Sequence, residues 1–218
     1  MTGFAGFPPE GIRFLAQLER NNDRDWFAAH KDEYERTLLE PARAFVEAMG
    51  ERFDTFMAGV HADPRVNQSI RRLNRDTRFS RDKRPFKTHL DLWFWQGEGP
   101  SRDRPGFWFR LSPERLVLGA GKHTFEGEQL DRYRSAVGPE LVRAVDAVGG
   151  EVGGKQYKRL PAGYEAEGRE AELLLHAGLY AGRELPVPEE THTPAFPDFC
   201  AAEYRKLAPL VEWLAAAM

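Results

Sequence analysis

The sequence predicts an α+β fold, with a small antiparallel sheet flanked by N-terminal and C-terminal helices in a single domain. Two patterns carry this expectation. Apolar residues recur at helical spacing over about residues 8–58 and again over about 124–217. Between them, from Thr88 onward, the period falls to two, the signature of strands. Size agrees, since 218 residues with 41% hydrophobic and 12% aromatic content suffice for one domain with a substantial core. The expected layout is a single domain over 1–218: a helical part at 8–58, a basic motif at 65–87, a sheet at 88–121 and a helical part at 124–217.

Each element has a local reason. Pro8 and Pro9 precede Ile12, Leu15 and Leu18, a helical spacing with proline in its first turn. Asn22 is the expected N-cap of a second helix, with the stripe Trp26, His30, Tyr34 and Leu38. Pro41 restarts the chain into a third helix through Phe45, Met49, Phe53 and Phe56, and residues 59–67 read as a loop. Leu90, Leu92 and Phe94 then alternate with His89, Asp91, Trp93 and Trp95, a strand with a polar outer face shared with Arg110. Phe107–Leu111 and Arg115–Leu118 flank Ser112-Pro113-Glu114, a hairpin with a proline turn. With Leu111 opposite Leu116, residues Phe107, Phe109, Leu111, Leu116 and Leu118 share the core face. Trp108, Arg110 and Val117 fall on the other.

Thr124 is the expected cap of a helix past Leu130 and Tyr133, and Pro139 starts another that Gly149-Gly150 and Gly153-Gly154 end. Lys155–Leu160 reads as a short strand and Ala171–His176 as a short helix. Residues 186–197 are proline-rich and linker-like, and a last helix runs from Asp198 towards Leu214.

Charge is where the sequence becomes specific. The whole chain has net charge −3, yet from Arg65 to Lys87 nine Lys and Arg residues meet only Asp76 and Asp82. That segment is +7, which leaves −10 for the rest. It is too polar for a core helix, and Pro85 interrupts any helix reaching its end. Arginine forks match phosphate and carboxylate, and several on one loop repel each other without an anion between them. One reading is therefore a site for a small anionic ligand. The other is a structural clasp, in which Asp76 and Asp82 tie Arg75, Arg78 and Lys83 into the fold and pin the N-terminal helices to the sheet. Phe79 and Phe86 interrupt the charges, either to hold the loop down or to offer a stacking surface. Single-stranded nucleic acid is a weaker third reading, because the remaining −10 repels a long strand.

The run Arg72-x-x-Arg75-Asp76-x-Arg78-Phe79-Ser80-x-Asp82-Lys83-x-Pro85-Phe86-Lys87 resembles the signature of the uncharacterised bacterial and fungal domain-of-unknown-function family 2461. Asn21-Asn22 with Trp26-Phe27 and Tyr34, and Lys158-x-x-Pro161-x-Gly163-Tyr164, extend the resemblance over nearly the whole chain. Phe86 stands where the family more often has tyrosine. The resemblance supports the fold unit and implies no activity. It ranks the cations: Arg72, Arg75, Arg78, Lys83 and Lys87 fall on motif positions, with Asp76, Phe79, Ser80, Asp82 and Pro85 as the motif's framework. Arg65, Arg71, Arg81 and Arg84 lie off the motif and are expected to face water.

Other motifs carry less. Gly119-Ala120-Gly121-Lys122-His123-Thr124 lacks both the first glycine and the Ser or Thr of a phosphate loop, leaving Lys122 as a weak anion contact. His89 and Asp91 point the same way on a strand, and with His176 or His192 would make a two-histidine, one-carboxylate iron site for a metal-dependent oxygenase. Such enzymes need more strands than the three or four expected here. His30 reads as a packed or hydrogen-bonded histidine. Ser80 has no base at an activating spacing, and no Cys/His cluster indicates zinc. No catalytic residue, cofactor or oligomeric state follows from the sequence. The only cysteine, Cys200, excludes an intrachain disulfide and is expected to pack as a small apolar residue. With no signal-like start and no apolar run near 20 residues, the expected location is cytoplasmic, away from membranes.

Overall fold

The computed structural model describes residues 3–218. Helix α1, Pro9–Arg20, begins on proline and buries Phe14, Leu15 and Leu18. Asp23, one residue beyond the expected cap, accepts the Trp26 N–H at 2.8 Å and starts α2, Arg24–Ala29. The expected continuous stripe is interrupted at His30, whose ring stacks on Trp26 at 4.1 Å while its Nδ1 lies 2.8 Å from the Trp26 carbonyl. A short α3, Lys31–Tyr34, continues through a π-helical segment, Glu35–Leu39, into α4, Glu40–Asp54. Pro41 stands just past the π-helical segment, so its missing N–H falls where the main-chain bonding changes from π-helical to α-helical.

Strand β1, Val60–His61, lies in the segment expected to be a loop. Strands β2, Leu90–Gln96, β3, Gly106–Leu111, and β4, Arg115–Lys122, fulfil the period-two reading. Leu90, Leu92 and Phe94 are buried, as are Phe107, Phe109, Leu111, Leu116 and Leu118, the core face expected of the hairpin. Trp95, expected on the polar face, is buried as well. Helix α5, Glu128–Ala136, starts after Gly127 with no side-chain cap, so Thr124 does not cap it. Helix α6 spans Pro139–Ala147, β5 Gly153–Lys155 and α7 Gly168–Leu173. His176 belongs to β6, His176–Pro186, the longest strand and one without a sequence signal. Helix α8 spans Phe196–Ala217. The fold is α+β, one six-stranded antiparallel sheet of order β1-β2-β3-β4-β6-β5 with N-terminal and C-terminal helices packed on it.

Packing divides the chain into two compact units. The first holds the N-terminal residues to Phe94, Trp108–Leu118 and Glu184–Ala201. Its core is aromatic: Phe45 meets Phe4, Phe7, Phe109 and Phe196 at ring separations of 5.2, 5.6, 5.2 and 5.3 Å. The proline-rich stretch is no linker, because the Thr191 carbonyl accepts the Phe7 N–H at 2.8 Å and His192 Nδ1 lies 2.7 Å from the Phe7 carbonyl. The second unit holds Trp95–Phe107, Gly119–Arg183 and Ala202–Met218. There Phe107 packs on Tyr204 at 5.1 Å, and Phe125 on Tyr133 at 4.5 Å. Gly154, at φ +104°, lies so near β6 that a Cβ would stand 2.0 Å from the Gly178 carbonyl oxygen. The glycines expected to end a helix thus let β5 reach β6. No helix among the described residues is long and apolar enough to cross a membrane.

Two phenylalanines separate core from surface. Phe45→Ala is expected to cost about 3–5 kcal/mol, whereas Phe79→Ala, at a ring 95% exposed, stays within about 0.5 kcal/mol of the parent. Denaturant melts of both variants check this pair.

Candidate functional site

The basic motif folds as a narrow antiparallel neck closed by an irregular tip. Asn74 and Phe86 bridge antiparallel, the Arg75 N–H donates to the Pro85 carbonyl at 2.8 Å and the Lys87 N–H to the Leu73 carbonyl at 2.8 Å. Proline has no N–H, so Pro85 contributes only its acceptor. The neck is fastened to the N-terminal helices by one amide. Asn22 donates through Nδ2 to the Phe86 carbonyl at 3.0 Å and accepts the Phe86 N–H on Oδ1 at 3.0 Å. The buried Phe86 ring stacks on Phe27 at 4.3 Å, a contact that needs no phenolic hydroxyl. Phe86 holds the loop down, and Phe79 does not.

The acids work by a repeated local device. Asp63, Asp76 and Asp82 each accept the backbone N–H two residues on, at 3.0, 3.2 and 3.0 Å, and each also binds the guanidinium of that same residue, Arg65, Arg78 or Arg84. Side-chain acceptance at i+2 is the Asx turn, here locked by a charge-assisted pair. The signal was present as Asp-x-Arg written three times, its first copy beginning just upstream of the basic run. Hydrogen bonds from Arg78 and Arg84 hold the Asp76 and Asp82 carboxyls well below the usual range.

The tip therefore uses two of the expected anion-binding cations for itself. Arg78 is spent on Asp76, and Lys83 Nζ donates to the Thr77 carbonyl at 2.9 Å. The Ser80 N–H closes a turn on the Thr77 carbonyl at 3.3 Å.

Below the tip, three of the five expected cations converge. Arg72, Arg75 and Lys87 line one open cavity of about 560 Å³ together with Arg71 and His89. Asn67, Asn74 and Asp76 supply the rest of its lining. Arg71, expected to face water, is half-buried, and burial pushes its pKa down against the opposing pull of Asp91. Arg75 spends only Nη1, on Asp82 at 2.8 Å and on the Arg84 carbonyl at 3.0 Å. Arg72 is exposed and makes no hydrogen bond or ion pair among the described residues.

Asp91 is the anchor beside this cavity. Its carboxylate is 15% exposed and takes Lys87 Nζ at 2.9 Å, Arg110 Nε at 2.7 Å and His89 Nε2 at 3.2 Å. Burial pushes its pKa up, but the hydrogen bonds and charges of His89, Arg110 and Lys87 outweigh burial and hold it well below the usual carboxylate range. His89 and Asp91 do share a face, as the strand period requires, yet no third metal ligand joins them. Among the described residues no group of three His, Cys, Asp or Glu side chains gathers. His192 faces the Phe7 carbonyl and His176 Nδ1 lies 3.1 Å from the Glu172 carbonyl. Lys122 is buried, donating to the Arg102 carbonyl at 2.9 Å, and burial lowers its pKa.

These features define an α+β protein in which a basic, self-chelating loop borders a cationic cavity. The chain belongs to the family described as conserved hypothetical protein (DUF2461), whose model matches residues 10–213. No curated protein and no solved structure matches it.

Two measurements test this geometry. Asn22→Ala removes both bonds to the Phe86 backbone and is expected to lower stability by about 1–3 kcal/mol, read by denaturant melts. A carboxylate with a depressed folded pKa contributes stability above its unfolded pKa, about 3.9 for Asp, and that stability is lost as pH falls. Asp91→Asn is therefore less stable than the parent at pH 7, and its melting temperature falls less between pH 6 and pH 3.

Proposed function

We propose that the chain binds a small phosphate- or carboxylate-bearing anion in the cavity bounded by Arg71, Arg72, Arg75 and Lys87. One observation carries the reading: Arg72 stands in that lining with no hydrogen bond or ion pair among the described residues. A guanidinium beside three further cations is repelled by them and gains most when an anion lies between. Arg75 supports the same reading with its Nε and Nη2 donors, since its bonds use Nη1 alone. Lys87 is held in place by Asp91 and retains two ammonium protons for a ligand. Arg78 and Lys83 then act indirectly, by shaping the tip from which Asp76 enters the lining.

The second reading, a structural clasp with no ligand, is favoured by the reciprocal bonds of Asn22 with the Phe86 backbone. The two readings separate cleanly by experiment. Thermal melts of the full chain are run in inorganic phosphate, citrate and acetate at constant ionic strength. An anion site gives a melting temperature that rises with phosphate or citrate, and Arg72→Ala abolishes the rise while melting like the parent without anion. A parent midpoint indifferent to every anion leaves the clasp.

A further inference from the structure

The pairing of His89 with Asp91 points beyond binding. We infer that the cavity hydrolyses a phosphate ester, with His89 as the general base for the attacking water and Asp91 as the carboxylate that positions it; this rests on the anion-site reading above.

Three observations lead there. The first is how the imidazole is held. His89 meets Asp91 through Nε2 at 3.2 Å. A carboxylate only accepts hydrogen bonds, so Nε2 carries the proton, and in the neutral ring the lone pair falls on Nδ1. Nδ1 makes no hydrogen bond among the described residues. A ring gripped at one nitrogen and open at the other is the arrangement of a histidine base oriented by an acid. Asp91 does not need this ring to balance its charge, because Lys87 already stands on Oδ2 at 2.9 Å and Arg110 on Oδ1 at 2.7 Å.

The second is place. His89 lines the same cavity as Arg72 and Arg75, and it also lines a smaller neighbouring one with Arg75 and Lys87. An ester whose phosphate lies on the two arginines shares the cavity with the imidazole, and about 560 Å³ leaves room for a water as well. The third is the inventory of nucleophiles. Among the described residues the lining of this cavity holds no Ser, Thr, Tyr or Cys side chain. Its one carboxylate, Asp76, is taken by Arg78, and its one amine, Lys87, is bound to Asp91. Water is left as the attacking group.

The step balances. The water oxygen bonds to phosphorus as its proton passes to Nδ1, and the bond from phosphorus to the ester oxygen breaks with its electron pair on the departing alcohol. The imidazolium then gives the proton to that oxygen, so ester and water become alcohol and phosphate. Arg72 and Arg75 oppose the negative charge that builds on the phosphoryl oxygens. A carboxylate on the same arginines brings no such bond to break, which selects the phosphate ester.

Release of para-nitrophenol from para-nitrophenyl phosphate and from bis(para-nitrophenyl) phosphate by the full chain tests this, with thermal melts in inorganic phosphate alongside. The parent is expected to hydrolyse at least one of the two esters. His89→Ala lowers kcat about 100-fold or more and keeps the phosphate-dependent rise in melting temperature. Added imidazole restores part of its rate, which it would not do for a histidine with a structural role alone. Asp91→Asn, assayed below its melting midpoint, lowers kcat more than it changes KM. Arg72→Ala loses both the hydrolysis and the rise. A parent stabilised by phosphate that cleaves neither ester overturns the inference and leaves the anion site standing, as does His89→Ala cleaving at the parent rate. Phosphate found covalently on His89 by mass spectrometry makes the ring a nucleophile and overturns its role as base. A parent neither stabilised nor active removes both readings.

Discussion

A buried carboxylate organises the part of this molecule that has chemical character. Asp91 sits on β2 with a core strand face behind it and cations in front, and it is mostly withdrawn from water. Burying a charge is costly unless it is paired and hydrogen-bonded. Asp91 meets that condition by drawing Lys87, His89 and Arg110 to one point. The cost of its desolvation is thereby converted into position: two cavity residues are held where one strand residue dictates. The same strand accepts the backbone of the preceding segment, since the Arg71 N–H donates to the Asp91 carbonyl at 2.9 Å. Main chain and side chain of one residue thus set both the wall and the charge of the cavity.

Above that point the motif divides its labour by chemistry. Phe86 and Asn22 make the loop part of the fold, one through apolar contact and the other through two amide bonds. The Asp-x-Arg turns give the tip a shape without any core of its own. Each links a backbone N–H and a guanidinium to one carboxylate, so local sequence alone is enough to specify the turn. The anion-site and clasp readings of the motif overlap at Arg75, which bonds Asp82 and also lines the cavity. Its outer half is occupied with itself, and its inner half opens on the cavity.

How much of this was legible depended on which interaction set each element. The central hairpin was readable because alternating Phe and Leu residues define a buried face, and the register followed from Leu111 opposite Leu116. The N-terminal helices were readable from their spacing, but His30 turned its ring onto Trp26 and broke the stripe there. Strand β6 was not readable: its inner half is small and apolar while its outer half is charged, and neither half alternates strongly. β5 depends on the close approach of two backbones at Gly154 and Gly178, a contact that leaves no side-chain pattern. Arg72, Arg75 and Lys87, marked by their place in the motif, stand together in the lining of one cavity. Arg71, expected in water, is half-buried because its main chain pairs beside β2, which no local spacing announces. Arg78 and Lys83 stand apart from Arg72, Arg75 and Lys87 because a carboxylate or carbonyl a few residues away captured each.

The chelated turns also set how far the motif's charge is felt. A guanidinium locked on a carboxylate presents a dipole, and its field fades over a few ångströms, faster than that of a lone cation. Beyond the screening length of about 10 Å at ordinary salt, little of either field reaches an approaching molecule. Long polyanions, which sample the whole surface, gain little from such an arrangement. A small anion already inside the cavity meets four cations at close range. The Asp-x-Arg turns thus take three guanidiniums for the loop's own shape, and the cations of the cavity are the ones a small anion meets.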